Sequence, residues 1–200
     1  MFNDVHWYRC LGVIPGISYV TPPGIDAKSL PGYGRSPEVH RFDSSESLFW
    51  GDTSESPASA HARFDRTNAP AAWIVQRIAE VLELPGTASD FHFALAAAAD
   101  GLYGRRYFEP SAMSEAERLW LLDVDLIEAR PDAFIYTGSD GTPNYYGFAS
   151  LARLASVYSN EGYLQEALSV AEKAEAFGQE RGQREKLLAR LASIEAEDDR

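Results

Sequence analysis

The side chains with chemical potential are few and scattered. Four histidines, His6, His40, His61 and His92, stand far apart, with no HExxH pattern and no pair at one-turn spacing on a common helix. One cysteine, Cys10, excludes an internal disulfide and any multi-thiolate metal site. His6 and Cys10 are four residues apart, but their segment has weak helical character, so Cys10 reads as a packed small apolar residue rather than an activated nucleophile. Asp123, Asp125 and Glu128 put three carboxylates in six residues, a pattern that suits Mg²⁺. On a helix Asp123 and Asp125 point about 200° apart, which leaves only Asp125 and Glu128 on one face and favours a solvated face over a metal site. Gly32-Tyr33-Gly34 has neither a strand before it nor a helix after it, as a phosphate loop requires. Thr137 to Gly141 lacks the first glycine of a nucleophile elbow. The expectation is a chain with no catalytic residue, no metal ligand and no cofactor.

One compact basic–aromatic group remains, Arg105-Arg106 between Tyr103 and Tyr107. It could hold an anion or a partner's carboxylate through charge-assisted hydrogen bonds. The plainer reading is a pair of cations complementing the negative end of a helix.

The elements that position these groups follow from punctuation and periodicity. Residues 1 to 69 hold six of the eleven prolines, with Pro70 at the edge, and are broken by Gly and Ser clusters. Val5 to Tyr8 and Ile17 to Val20 are short candidate strands. Residues 42 to 56 run polar around Leu48-Phe49-Trp50, the pattern of an extended segment presenting a few apolar anchors. Residues 1 to 67 are therefore expected to form an extended arm, with Phe49 and Trp50 as contacts to the protein's own body or to a partner. From 68 the pattern turns helical. Asn68 and Pro70 suit a helix start, and Ile74, Ile78, Val81 and Leu82 repeat at helical spacing up to Pro85-Gly86, predicting a helix over 70 to 83. Thr87 or Ser89 caps a second helix, striped by Phe91, Leu95, Ala98 and Leu102 and ending near Gly104. Ser114 with Glu117 reads as a capping box opening a third helix to Arg130, ahead of Pro131. Its two apolar stripes, Leu119/Leu122/Leu126 and Trp120/Val124/Ile127, imply burial on two sides, and a strand over 122 to 126 is the minority reading. Thr137 to Pro143 reads as a loop.

The net charge of −12 is concentrated in the helical part: residues 1 to 69 carry six bases and eight acids, the remainder twelve and twenty-two. With no basic cluster longer than Arg105-Arg106, nucleic-acid and anionic-membrane binding are disfavoured. No stretch approaches the roughly 18 apolar residues of a membrane span, and the lone cysteine fits a reducing compartment, so a cytoplasmic protein is expected. Arg outnumbers Lys fifteen to three, a bias associated here with high-GC bacterial genomes.

Residues 145 to 178 carry a family-level pattern. Leu151, Leu154, Ala155 and Tyr158 stand at i, i+3, i+4 and i+7; Gly162 follows; Ala167, Ala171 and Ala174 stripe a second segment that ends at Gly178. This resembles a tetratricopeptide repeat (TPR), departing from it at Ala171 and at Gln179, near where a proline is common. The resemblance implies an antiparallel helical hairpin and a groove lined by the first helix, at Ala149, Ala152, Ser156, Ser159 and Asn160. It also implies flanking helices, since one repeat cannot bury its own apolar face. Residues 114 to 131 and a capping helix over 183 to 197, with Leu187, Leu188, Leu191 and Ile194, fit that need.

The fold expected is mainly α: a short TPR-like stack over 68 to 200 behind an irregular Pro/Gly/Ser-rich arm. The function expected is a non-catalytic interaction or adaptor protein with a protein or peptide partner, contacted through Ser156, Asn160, Phe49, Trp50, Arg105 and Arg106. Two alternatives stand beside it. One is a small enzyme or enzyme subunit with a pocket near Arg105, Arg106, Tyr145 and Tyr146. The other is an assembly protein of a phage or another large particle.

Overall fold

A computed structural model describes residues 56–63, 69–179 and 182–198. Among these the protein is mostly α-helical, with seven helices and a two-stranded sheet. The candidate strands near the N-terminus, the anchors Phe49 and Trp50, and Asn68 lie outside the described residues. The chain forms two compact units, Met1–Phe134 and Ile135–Arg200, so the helical stretch that begins near 68 spans both.

In the first unit, α1 (Pro57–His61) is a short helix capped by Ser56, whose Oγ accepts from the Ser59 amide at 3.0 Å. The end of the expected extended arm is thus helical and packed against α2 (Ala71–Leu82) and α3 (Ala88–Arg105). The approach is close at Gly86: a Cβ there would lie 2.7 Å from Ala58 Cβ and 3.1 Å from the Phe91 ring. Only glycine lets the α2–α3 connection pass under α1.

α2 buries the predicted stripe Ile74, Ile78, Val81 and Leu82. Its N-terminus is not capped by its own neighbours. Pro70 has no side chain to offer, and the Ala71 amide donates instead to Glu109 Oε2 at 2.9 Å, from 38 residues downstream. α3 starts at a true capping box: Asp90 N donates to Thr87 Oγ1 (3.2 Å) and Thr87 N to Asp90 Oδ2 (2.8 Å). Between the two candidate caps, the structure selects Thr87.

The capping box expected at Ser114 and Glu117 does not exist. α4 (Ala112–Ala129) begins two residues earlier, Ser114 Oγ donates back to the Ser111 carbonyl at 2.9 Å, and Ser114 and Glu117 are both fully buried within the helix. The S-x-x-E spacing is mimicked by a polar layer inside the unit. The wide apolar surface of α4 is buried on both stripes, with Leu119, Trp120, Val124, Leu126 and Ile127 all in the core, and residues 122 to 126 are helix rather than strand. α3 and α4 form the most extensively packed pair in the unit. A 3₁₀ turn, Pro131–Phe134, closes it with Phe134 buried.

The second unit opens with a hairpin that is built around the expected loop: residues 138–142 connect two short strands that the sequence pattern does not anticipate. β1 (Ile135–Thr137) pairs antiparallel with β2 (Pro143–Tyr145), Ile135 opposite Tyr145 and Thr137 opposite Pro143. Its tip is held by Asp140 Oδ1, which accepts from Thr142 N (3.0 Å) and Oγ1 (2.6 Å), and by Gly141 at φ +79°. The helical hairpin follows: α5 (Ala149–Glu161) and α6 (Leu164–Ala176), joined through Gly162 at φ +88°, a left-handed position that glycine takes without strain. α7 (Gln183–Asp198) packs on α6. The core is small-residue and aromatic: Ala155, Ala167, Ala171 and Ala174 interleave with Leu151, Leu154, Tyr158 and Val170.

Candidate functional site

The first unit buries a pair of ionisable groups between α3 and α4. His92 on α3 and Asp123 on α4 meet at 2.7 Å (Nδ1 to Oδ1) with 3% and 0% of their side chains exposed. The His92 ring also sits edge-on to Phe134 at 5.3 Å and tilted against Phe93 at 5.0 Å. Asp123 is therefore turned away from Asp125 and Glu128, as its spacing implies. It is the buried partner of a histidine 31 residues away. Among the described residues no group of three or more His, Cys, Asp or Glu side chains is arranged to hold a metal ion.

Earlier on α4, Glu115 is 2% exposed, accepts from Arg118 Nε at 3.3 Å through Oε2, and leaves Oε1 without a hydrogen-bond partner. Burial pushes its carboxyl above the usual range, and the Arg118 guanidinium only partly offsets that. A His–Asp pair is the raw material of general acid–base chemistry. Here, however, the imidazole is sealed between two helices, so what the arrangement does in this fold is tie α3 to α4.

The Arg105–Arg106 corner sits where α3 gives way to α4. Arg106 is layered between Tyr103 (3.8 Å to the ring centroid) and Tyr107 (4.1 Å), and it donates to the Tyr103 carbonyl at 2.8 Å and the Tyr107 hydroxyl at 2.9 Å. Arg105 pairs with Glu109. The Arg105 guanidinium, and after it the Ala71 amide, hold the Glu109 carboxyl below the usual range. Arg105, Glu109 and the start of α2 thus form one relay, and both arginines are engaged within the unit. Next to them Tyr107 and Phe108 project outward, Phe108 with 81% of its surface exposed. Tyr145 and Tyr146, named with these arginines as a possible pocket, belong to the second unit.

In that second unit Tyr145 packs against Phe177 and Phe148, which are edge-on to each other (ring centroids 5.1, 6.1 and 5.2 Å apart), while Tyr146 stacks on Tyr136 at 5.1 Å and is exposed. Gln179, where the sequence departs from the repeat pattern, closes the hairpin: its Oε1 accepts from the Phe148 amide at 2.8 Å and its Nε2 donates to the Tyr146 carbonyl at 2.7 Å. The side chain joins the start of α5 to the end of α6. On α5, Leu151, Leu154, Ala155, Val157 and Tyr158 are buried and Ser156 and Asn160 are exposed. Ala152 and Ser159 are half-buried, and Arg190 of α7 donates to the Ser159 carbonyl at 2.8 Å. The outward face of α5 carries the small side chains Ala149, Ser156 and Asn160 together with one exposed cation, Arg153.

Compared with protein-family models, curated proteins and solved structures, the chain matches none. No helix among the described residues is long and apolar enough to cross a membrane.

Sequence reasoning missed His92 as the partner of Asp123. Local spacing relates each residue only to its neighbours in sequence, and the pairing is set by the register of two helices. The available signal was that both fall on helices whose apolar stripes already required close packing. Glu109 as the cap of α2 had no local signal.

Proposed function

We propose that this chain is a non-catalytic, cytoplasmic interaction protein whose second unit, a TPR-like helical hairpin with its capping helix, docks a protein or peptide partner. The observation that carries this reading is the division of α5. One face is locked into the hairpin core by Leu151, Leu154, Ala155 and Tyr158, and the other keeps Ser156 and Asn160 in solvent beside the exposed Arg153. Small polar side chains on a rigid helix leave backbone-close space and unspent donors and acceptors for an incoming chain. The exposed, stacked Tyr136–Tyr146 pair supplies aromatic area of the type that dominates binding energy. Phe49 and Trp50 are the arm's proposed anchors on the same partner.

Affinity purification with mass spectrometry from the native host tests the proposal. The full chain is expected to retain a stoichiometric partner that is lost from the double variant Ser156→Arg, Asn160→Arg, with helicity unchanged by circular dichroism. The same partner retained at the same stoichiometry by the variant would overturn it.

A further inference from the structure

We infer that α7 is a self-association element, pairing antiparallel with α7 of a second copy of this chain about a two-fold axis near Leu191. The inference is independent of the partner reading above, because it uses a different helix and a different occupant. α7 runs about 24 Å, and its apolar residues Leu187, Leu188, Leu191 and Ile194 cluster on one side at helical spacing. The unit itself fully buries only the first of them. Leu187 is 4% exposed, Leu191 is half-buried, and Leu188 and Ile194 are 38% and 44% exposed. The apolar stripe therefore continues past the part of the helix that the unit itself covers.

The charges say what covers the rest. The first half of α7, residues 183 to 190, carries Arg184, Lys186 and Arg190 against Glu185, whereas residues 191 to 198 carry Glu195, Glu197 and Asp198 and no base. That order opposes the helix dipole, which favours acids at the N-terminus and bases at the C-terminus. An arrangement that costs the isolated helix stability is recovered when two copies run antiparallel and each basic half lies along the other's acidic half. Arg184 is partly neutralised by Glu172 at 3.2 Å, but Lys186 is exposed and Arg190 donates to a neutral carbonyl, so both keep their charge for the partner helix. A two-fold axis at Leu191 also superposes the apolar stripe on itself, Leu188 opposite Ile194 and Leu191 opposite Leu191, as an isologous contact requires. One helix pair of this length falls at the small end of specific interfaces, so the dimer is weak, with Kd on the order of 10 µM.

Sedimentation equilibrium of the full chain tests this across about a hundredfold range of concentration spanning that Kd. The expected result is a monomer–dimer equilibrium that weakens at least threefold in 1 M salt, where screening acts within about 3 Å. Ile194→Glu is expected to leave a monomer with unchanged helicity. Orientation is read from two single-cysteine chains, each in a Cys10→Ser background: on mild oxidation Leu191→Cys cross-links to its own copy rapidly and Leu188→Cys slowly. A monomer at every concentration, a dimer indifferent to Ile194→Glu, or equal cross-linking at both positions would overturn the proposal.

Discussion

The two units solve the same packing problem, one antiparallel helix pair each, with opposite interiors. The first unit buries the His92–Asp123 pair between α3 and α4, and Ser114, Glu115 and Glu117 on α4; among the described residues of the second, the one fully buried polar side chain is Ser150. The first pair is held in register by polar contact, because a buried carboxyl such as that of Asp123 is tolerated out of water only where hydrogen-bond partners sit. The second is held by shape. Alanines at 155, 167, 171 and 174 bring α5 and α6 together, and Gln179 and Gly162 finish the ends. Polar register makes the first unit sensitive to losing a partner, whereas close approach makes the second sensitive to added volume.

Substitutions can break this contrast on either side. The largest effect is expected from His92→Ala, which takes the 2.7 Å partner from a carboxylate with no solvent exposure and should cost about 3–5 kcal/mol in urea unfolding. The matched test in the second unit is Ala155→Leu, which forces extra methylenes into a fully buried position and should cost about 1–3 kcal/mol. An equal cost for Ala155→Ser, which adds little volume, would show that volume is not what matters there. Gln179→Ala should cost about 1–2 kcal/mol, because it leaves the Phe148 amide and the Tyr146 carbonyl without the side chain that serves both. The smallest change has the opposite sign. Glu115→Gln should stabilise by about 1 kcal/mol at neutral pH, since the folded state holds the buried carboxyl above its ordinary range. The native form binds that proton more tightly than the unfolded chain does. Glu115 therefore lowers stability as pH rises from about 4.5 through its folded pKa, and the gain from Gln should vanish below about pH 4.5. A pH-independent difference between the two proteins would locate the effect elsewhere.

What the sequence made legible follows the same divide. The stripes of α2, α3 and α5 are periodic and local, and they predict those helices to within a residue or two. Gly162 and Gly178 were readable as turns because their roles depend on their own φ. The failures are all long-range. Ser114 and Glu117 imitate a capping box because a buried polar layer on one helix face also places polar residues three apart. The β1–β2 hairpin escaped because each strand is three residues long and mostly exposed, too short to show alternation. Glu109 capping α2 and His92 meeting Asp123 depend on which elements become neighbours, and no local pattern encodes that. Of the proposed contact residues, Ser156 and Asn160 are exposed where the repeat resemblance implied a groove, whereas Arg105 and Arg106 are engaged in holding the α3–α4 corner.

The proposed division of labour, interaction in the second unit and structural charge in the first, is tested most directly by calorimetric titration of the co-purifying partner into three full-length proteins. These are the unmodified chain, the Ser156→Arg, Asn160→Arg variant, and Arg106→Ala. The account predicts a Kd raised at least tenfold by the α5 substitutions, about 1.4 kcal/mol, and changed less than twofold by Arg106→Ala. Binding weakened by Arg106→Ala and untouched by the α5 substitutions would contradict it, and would move the contact to the basic–aromatic corner.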